Sequence, residues 1–202
     1  MTLWLAPRPL LLASQSRARQ MLLANAGIPF EAMPADIDER AVQRASGLRL
    51  AGEIAALLAH EKAHSVSMRL PGRLVVGADQ TLALGDRLFS KPDGRAQAGV
   101  QLRALSGVSH ELHSAIAVAR DGKIVFADTA VARMTMRSLG EAEIDAYLDE
   151  AGAAVASSVG AYQLEGLGVH LFERIEGDHF TILGLPLLPL LAFLRRERLL
   201  AL

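Results

Sequence analysis

A serine- and arginine-rich turn follows the first apolar run of the chain and begins a helical pattern. Its polar residues are Ser14, Ser16, Arg17 and Arg19. The N-terminus of a helix offers free backbone N–H groups and a partial positive charge, to which hydroxyls and guanidinium groups add donors. The turn therefore fits a phosphate-binding loop. It equally fits an ordinary serine helix cap with solvated arginines.

A carboxylate, Asp79, stands directly after the apolar run Leu74–Ala78, which predicts a buried strand that ends at Asp79 and Gln80. Ligand sites of α/β proteins open at the carboxyl ends of strands. Two lysines, Lys62 and Lys91, supply cations that could offset phosphate charge. Together these groups are typical of a metal–phosphate site with oxygen ligands around Mg²⁺. Taken singly, each also fits a turn or a solvated surface residue.

The segment from His60 to His64 matches H-E-x-x-H on a predicted helix, which places two imidazoles on one face as in zinc hydrolases. The other histidines do not follow a recognised spacing for a third ligand, and the chain has no cysteine. We therefore reject a zinc site here, while a zinc hydrolase remains an alternative that metal analysis would test.

The composition limits the possible partners. The formal net charge is -1, so no basic field is available to hold a nucleic-acid polymer. The most apolar stretch, residues 181–194, contains two prolines and is too short for a membrane-spanning helix. The absence of cysteine fits a reducing compartment. We expect a cytoplasmic protein with no membrane partner.

The hydrophobic pattern alternates between strands and helices, which predicts an α/β fold. The predicted strands are Leu10–Ala13, Ile28–Met33, Leu74–Ala78, Val169–Arg174 and Phe180–Leu183. One predicted helix begins after Ser16, and four more cover Leu48–Leu70, Pro92–Leu105, Glu141–Glu150 and Leu187–Leu199. Two hairpins are predicted, at residues 81–89 and, around Asp121-Gly122, at residues 110–136. The hairpins indicate a mixed sheet, and residues 36–39 are expected to form an acidic loop.

Eight segments, in order along the chain, resemble the Maf family of nucleotide pyrophosphatases. They are LLLASQSRARQMLL, DIDE, HEKA, VVGADQTL, SKP, LSGVSHELHSAIAV, VGAYQLEGLG and IEGDHFTILGLPLLPL. The resemblance covers nearly the whole chain. It implies one domain, residues 1–202, with a strongly twisted mixed sheet flanked by helices and an ITPase-like arrangement of two lobes with a cleft. It also implies a hydrolase that cleaves the α–β phosphoanhydride of nucleoside triphosphates.

The resemblance also assigns roles to residues. Asp79 matches the essential aspartate, as general base or metal ligand, and Glu39 matches an acid that would hold the same divalent ion, Mg²⁺ or Mn²⁺. The matching substrate-binding residues are Ser14, Ser16, Arg19, Lys62 and Lys91. Where the family has Pro-Arg-Arg, this chain has Arg17-Ala18-Arg19, so one arginine is lost at Ala18 and Arg17 is a candidate to replace it. A homodimer is a further expectation.

Two departures from the family pattern concern the substrate. Glu165 stands where the pyrimidine-selective branch has Gln, which resembles the branch that acts on 7-methyl-GTP. Ser157 and Ser158 replace a usual Asp-Lys pair. The preferred base, 7-methyl-GTP against UTP or dTTP, stays open, with Glu165 expected to face the base. A non-catalytic nucleotide-binding regulatory protein with this fold is the main alternative function.

Overall fold

The computed structural model describes residues 3–202 and forms an α/β fold. The strands are β1 (Leu10–Leu12), β2 (Phe30–Ala32), β3 (Val75–Leu84), β4 (Arg87–Phe89), β5 (Ser109–Arg120), β6 (Lys123–Met136) and β7 (Phe172–Glu176). The helices are α1 (Arg17–Asn25), α2 (Glu39–Ser46), α3 (Ala51–Arg69), α4 (Arg95–Leu105), α5 (Glu141–Ala151), α6 (His179–Ile182) and α7 (Leu187–Arg196). Short 3₁₀ turns lie between α5 and β7.

The strands form one mixed sheet of seven strands in the order β2-β1-β3-β5-β6-β7, with β4 also paired to β3. β1 pairs in parallel with β2 and β3, whereas the β3–β4 and β6–β7 pairs are antiparallel. The predicted mixed α/β sheet flanked by helices is thus confirmed. The turn between β5 and β6 has positive φ at Asp121 and Gly122, as a two-residue hairpin of this type requires.

The chain divides into two compact units. The first comprises the chain up to Gln80 together with residues 114–130 and 179–202, and the second comprises residues 81–113 and 131–178. The expectation of a single domain with a cleft between two lobes stays a prediction. No helix between residues 3 and 202 is both long and apolar enough to cross a membrane.

The core of the first unit lies on both faces of its central strands. All three residues of β1 are fully buried, which explains their unbroken apolar sequence. Leu10 and Leu12 share one hydrophobic cluster with Leu190 and Phe193 of α7. Leu11 lies in another cluster, with Val66 and Val75.

Helix α3 packs unusually close to the sheet through small side chains. Ala55, Ala59 and Ala63 of α3 form a buried cluster with alanines 115, 117 and 119 of β5. Gly77 of β3 lies against the same helix, and a Cβ atom built there would be 2.2 Å from the Ala59 carbonyl oxygen and 2.6 Å from the Ala63 nitrogen. Only glycine fits this contact, which brings α3 next to β3.

Two sequence predictions about β3 and the acidic loop were wrong. Strand β3 does not end at Asp79 and Gln80 but continues to Leu84, because Thr81–Ala83 are buried and continue the strand. The expected loop at residues 36–39 ends in a helix, α2, which begins at Glu39. Asp38 caps that helix by accepting a hydrogen bond from the Ala41 N–H at 2.9 Å.

The C-terminal part also differs from the prediction. Residues 180–183 were predicted as a strand, but helix α6 covers His179–Ile182. The Thr181 and Ile182 carbonyls accept hydrogen bonds from the Gln80 side chain, so a side chain of β3 takes the place of a ladder partner. Strand β7 begins at Phe172 rather than Val169, because a 3₁₀ turn precedes it.

Candidate active site

An ammonium group bridges two carboxylates at the centre of the candidate site. Lys62 Nζ donates to Asp79 Oδ1 at 2.6 Å and lies 2.9 Å from Glu39 Oε1. Lys62 and Asp79 are each 8% exposed, whereas half of the Glu39 side chain is exposed. Alternate residues of a strand share a face, so Asp79 points to the same side as Gly77, towards α3. The close packing of α3 thus delivers Lys62 to Asp79.

Burial and charge act in opposite directions on Asp79. Burial raises the pKa of the Asp79 carboxyl above its ordinary value, while Lys62 and then Arg19 lower it. The net direction is upward. A carboxylate with a raised pKa is a better proton acceptor than an ordinary surface aspartate. The surroundings therefore suit Asp79 for accepting a proton from water.

Arg19 is fixed by main-chain carbonyls beside this pair. Its Nε donates to the Gly184 carbonyl at 2.7 Å, and its Nη1 donates to the Ala78 carbonyl at 2.8 Å and to Ser14 Oγ at 3.2 Å. Three of its five N–H groups are thus used. Within residues 3–202, all the hydrogen bonds found for the Arg19 side chain come from Nε and Nη1. The two N–H groups of Nη2 are therefore available for an anion.

The serine turn has the contacts of a serine helix cap, while its role in binding phosphate stays a prediction. Ser16 caps α1 by accepting from the Arg19 backbone N–H at 3.4 Å, and Ser14 Oγ accepts from the Ser16 backbone N–H at 3.2 Å. Arg17 is exposed at the first helical position. The first unit therefore brings six of the predicted residues into one region: Ser14, Ser16, Arg19, Glu39, Lys62 and Asp79.

A family model described as "Maf-like protein" matches residues 9–197. The chain belongs to the Maf family. It is 73% identical, over the full length of both chains, to a nucleoside triphosphate pyrophosphatase of Rhodopseudomonas palustris strain BisB18. It is also 55% identical to a 7-methyl-GTP pyrophosphatase of Rhizobium etli, with 92% of this chain and 94% of that one covered.

Among solved structures, a HAM1 protein from Coxiella burnetii is similar to part of this Maf chain. The TM-score is 0.42 and the sequence identity 19%, with 63% of this chain and 72% of that one covered.

Gln80 is a polar residue of this Maf site that sequence reasoning missed. Its Nε2 lies 2.9 Å from Ser114 Oγ and from the Ile182 carbonyl and 3.1 Å from the Thr181 carbonyl. Ser114 Oγ also donates to the Thr181 carbonyl, at 2.7 Å. Gln80 thus ties the residues just before Gly184 to the strand that carries Asp79. Its position directly after Asp79 was the only sequence signal.

Two predicted substrate-binding residues, Lys91 and Glu165, belong to the second unit. Lys91 is exposed in the loop between β4 and α4, and Glu165 is exposed in the turn before the 3₁₀ segment at Leu167. The first unit does not contain them, and their roles stay predictions.

A buried histidine anchors the segment that leads to Glu165. His110 Nε2 forms a 2.7 Å hydrogen bond with Tyr162 Oη, and both residues are buried. Burial lowers the pKa of His110 to about 4, so the ring is neutral at pH 7. Ser158 Oγ donates to the Tyr162 carbonyl, and Gln163 donates to Ser157 Oγ. The two serines that depart from the family pattern therefore close this turn locally.

The two histidines of the H-E-x-x-H match lie on α3. His64 Nδ1 donates to the Gly122 carbonyl at 2.9 Å, and His60 lies exposed beside Glu61. In the described part of the chain, residues 3–202, no group of three or more His, Cys, Asp or Glu side chains could hold a metal ion. The structure thus offers no third ligand for the zinc alternative there.

The hydrogen bonds of Arg19 lead to a prediction about stability. Replacing Arg19 by Met should lower the free energy of unfolding by about 2–3 kcal/mol, because the Ala78 and Gly184 carbonyls lose their donor. The matched control is Arg17→Met in the same turn, where an exposed side chain predicts a change within about 0.5 kcal/mol. Urea unfolding of the unmodified protein and the two variants measures both changes. Equal stability of the two variants would contradict a stabilising role for the clamp, by which we mean the hydrogen bonds from Arg19 to the Ala78 and Gly184 carbonyls.

Proposed function

We propose that this Maf-family chain is a nucleoside triphosphate pyrophosphatase that hydrolyses the α–β phosphoanhydride to a nucleoside monophosphate and pyrophosphate. The observation that carries the proposal is the buried Asp79 carboxylate beside Lys62 and Arg19, next to the serine turn. The relatives at 73% and 55% identity are a nucleoside triphosphate pyrophosphatase and a 7-methyl-GTP pyrophosphatase, which supports the same activity. A cytoplasmic location and a homodimer stay predictions of the sequence.

The phosphate chain would bind at the serine turn. Backbone N–H groups at the start of α1, the Nη2 N–H groups of Arg19 and the ammonium of Lys62 are the donors in reach of the site. Phosphoryl transfer needs little covalent chemistry from the protein and depends on positioning and on neutralising charge. These cations would offset the charge that develops on the bridging oxygen as the bond to pyrophosphate breaks.

Asp79 would orient the attacking water and accept its proton. Its carboxylate is the most buried acid of the cluster, and its raised pKa suits the task. Glu39 is half exposed, which leaves it free to turn towards solvent and substrate. In this scheme the water attacks in line with the departing pyrophosphate, and Asp79 holds the proton until the product leaves.

The donor set fits a divalent cation that is shared with the substrate. Glu39 and Asp79 already surround one cation, the Lys62 ammonium, and carboxylates are the ligands that Mg²⁺ and Mn²⁺ prefer. Mg²⁺ is usually held by one or two carboxylates with phosphate oxygens and water. Glu39 would hold the ion, and Asp79 would either accept the proton of the water directly or be the second ligand of the ion, which would polarise the phosphate and lower the pKa of a bound water.

A nucleotide panel tests the proposed function. We expect release of pyrophosphate, rather than of single phosphates, from nucleoside triphosphates in the presence of Mg²⁺ or Mn²⁺, and loss of that activity with EDTA. Readdition of Mg²⁺ or Mn²⁺ should restore it. Nucleotide binding without pyrophosphate release would instead support the non-catalytic alternative, and activity that survives EDTA would contradict the metal.

Glu165 leads to a prediction about the base. An ionised Glu only accepts hydrogen bonds, and guanine offers two adjacent donors, whereas uracil and thymine offer one donor between two carbonyls. We expect guanine-type triphosphates, 7-methyl-GTP among them, to be preferred about tenfold over UTP and dTTP, since a bound base would cover the exposed Glu165 carboxylate, and covering it without a pair of donors is costly. Glu165→Gln should narrow that preference.

The measurement is the ratio of kcat/KM values over the nucleotide panel. Glu53→Gln, an exposed acid on α3, is the control that removes one negative charge elsewhere. UTP or dTTP as the best substrate of the unmodified protein would contradict the prediction.

A further inference from the structure

The Lys62 ammonium contacts both Glu39 and Asp79, the two acids that are candidate metal ligands in the proposed function, on which this inference rests. We propose that the Lys62 ammonium is the counter-ion of the two carboxylates in the nucleotide-free protein. The ammonium leaves the carboxylates only when a divalent cation binds together with a triphosphate. Lys62 would therefore prevent metal loading of the nucleotide-free protein and couple metal binding to substrate binding.

The geometry fixes Lys62 in this position. Its Nζ contacts both acids, at 2.6 Å and 2.9 Å, and the residue is 8% exposed. Its neighbour Ala63 is fully buried against Gly77 of β3, so the helix cannot move away from Asp79 without losing that contact. The ammonium is therefore carried by a helix that is closely packed against β3.

Charge arithmetic explains why a metal ion alone should bind poorly. Glu39 and Asp79 carry two negative charges, and Lys62 and Arg19 carry two positive charges, so the cluster is neutral. A divalent ion added to it leaves a net charge of about +2 in a poorly solvated place, which is costly. A triphosphate brings about four negative charges, which offset the excess positive charge and leave a net charge of about −2. The Lys62 ammonium then has phosphate oxygens to donate to.

The coupling has to be reciprocal. If the triphosphate raises the affinity for the metal ion, the metal ion raises the affinity for the triphosphate by the same factor. The factor should shrink when position 62 carries no charge, because the metal ion then meets two free carboxylates. Removing Lys62 should therefore strengthen metal binding in the absence of nucleotide, whereas loss of an ordinary metal-site residue weakens it.

The experiment is a titration of nucleotide-free protein with Mn²⁺, followed by the electron paramagnetic resonance signal of free Mn²⁺. We expect weak binding to the unmodified protein and at least about tenfold tighter binding to Lys62→Met, a charge-free side chain of similar length. Lys62→Arg keeps the charge and should bind as weakly as the unmodified protein. The double variant Lys62→Met with Asp79→Asn should lose the gain, which locates the ion.

Thermal melting provides a second measurement in case two unpaired acids weaken the fold. Mn²⁺ should raise the Tm of Lys62→Met more than that of the unmodified protein. Unchanged or weaker Mn²⁺ affinity in Lys62→Met, or tight binding of one Mn²⁺ by the unmodified protein, would overturn the inference. Pyrophosphate release by the unmodified protein is assayed separately, so failure of this inference and failure of the proposed function give different results.

Discussion

Replacing Asp79 by Asn should lower the turnover number at least about a hundredfold, the lower range for loss of a general base. Asn keeps the shape of the side chain but cannot accept a proton or supply a carboxylate to a metal ion. Lys62 would then keep only Glu39 as a charged partner. The assay is pyrophosphate release at saturating nucleotide, and Asp86→Asn, in the exposed turn between β3 and β4, is the control.

The pH dependence of the unmodified protein tests the same role. Burial raises the pKa of Asp79, and the scheme needs its ionised form. The value of kcat/KM, which reports the nucleotide-free protein, should therefore fall with decreasing pH at a higher pH than an ordinary aspartate would give, and this acid limb should disappear in Asp79→Asn. Retention of most of the activity by a folded Asp79→Asn protein would show that the proton goes elsewhere.

The sequence predicted those parts of the fold in which one local signal dominates. Alternating apolar residues on both sides of Asp121-Gly122 predicted the hairpin of β5 and β6, and the turn has the two positive φ angles that this sequence favours. The apolar spacing from Leu48 to Leu70 predicted a helix, which the structure places at Ala51–Arg69. Short-range patterns suffice here because the elements are long and regular.

The clearest error occurred where a distant group decides the local structure. Residues 180–183 are apolar enough for a strand. The Gln80 side chain, about one hundred residues earlier in the chain, donates hydrogen bonds to the Thr181 and Ile182 carbonyls instead of a neighbouring strand. Strand β3 continues past Asp79 through the buried residues Thr81–Ala83, and Lys62 pairs with the Asp79 charge within the strand. Residues 36–39 were predicted as an acidic loop, although Asp38 caps α2 and an aspartate at this place is a signal for the start of a helix.

The sequence predicted which residues belong to the candidate site but not the hydrogen bonds that join distant parts of the chain there. The serine turn, Asp79 and Lys62 were identified from local pattern and family resemblance. The clamp from Arg19 to Gly184 joins residues far apart in the chain, so no spacing rule could reveal it. Gly77 did carry a signal, because a glycine inside an apolar strand often marks a place where another backbone comes close.

That glycine gives the second large effect that we expect. Gly77→Ala places a methyl group 2.2 Å from the Ala59 carbonyl oxygen, so α3 has to move away from β3. Overpacking of a backbone contact costs about 3 kcal/mol, the upper part of the usual range. For a chain of this size the Tm should fall by about 6–12 °C. Differential scanning calorimetry measures it.

The same displacement should reach the chemistry, because α3 carries Lys62 and β3 carries Asp79. A shift of about 1 Å at a catalytic group can cost about a hundredfold in rate, so we expect Gly77→Ala to lose at least about tenfold in kcat at a temperature where it is folded. Gly166→Ala is the matched control for stability, since its added Cβ meets nothing closer than 3.8 Å. If Gly77→Ala melts like the unmodified protein, the helix and strand are not locked together at this point, and Lys62 must reach Asp79 by the flexibility of its own side chain.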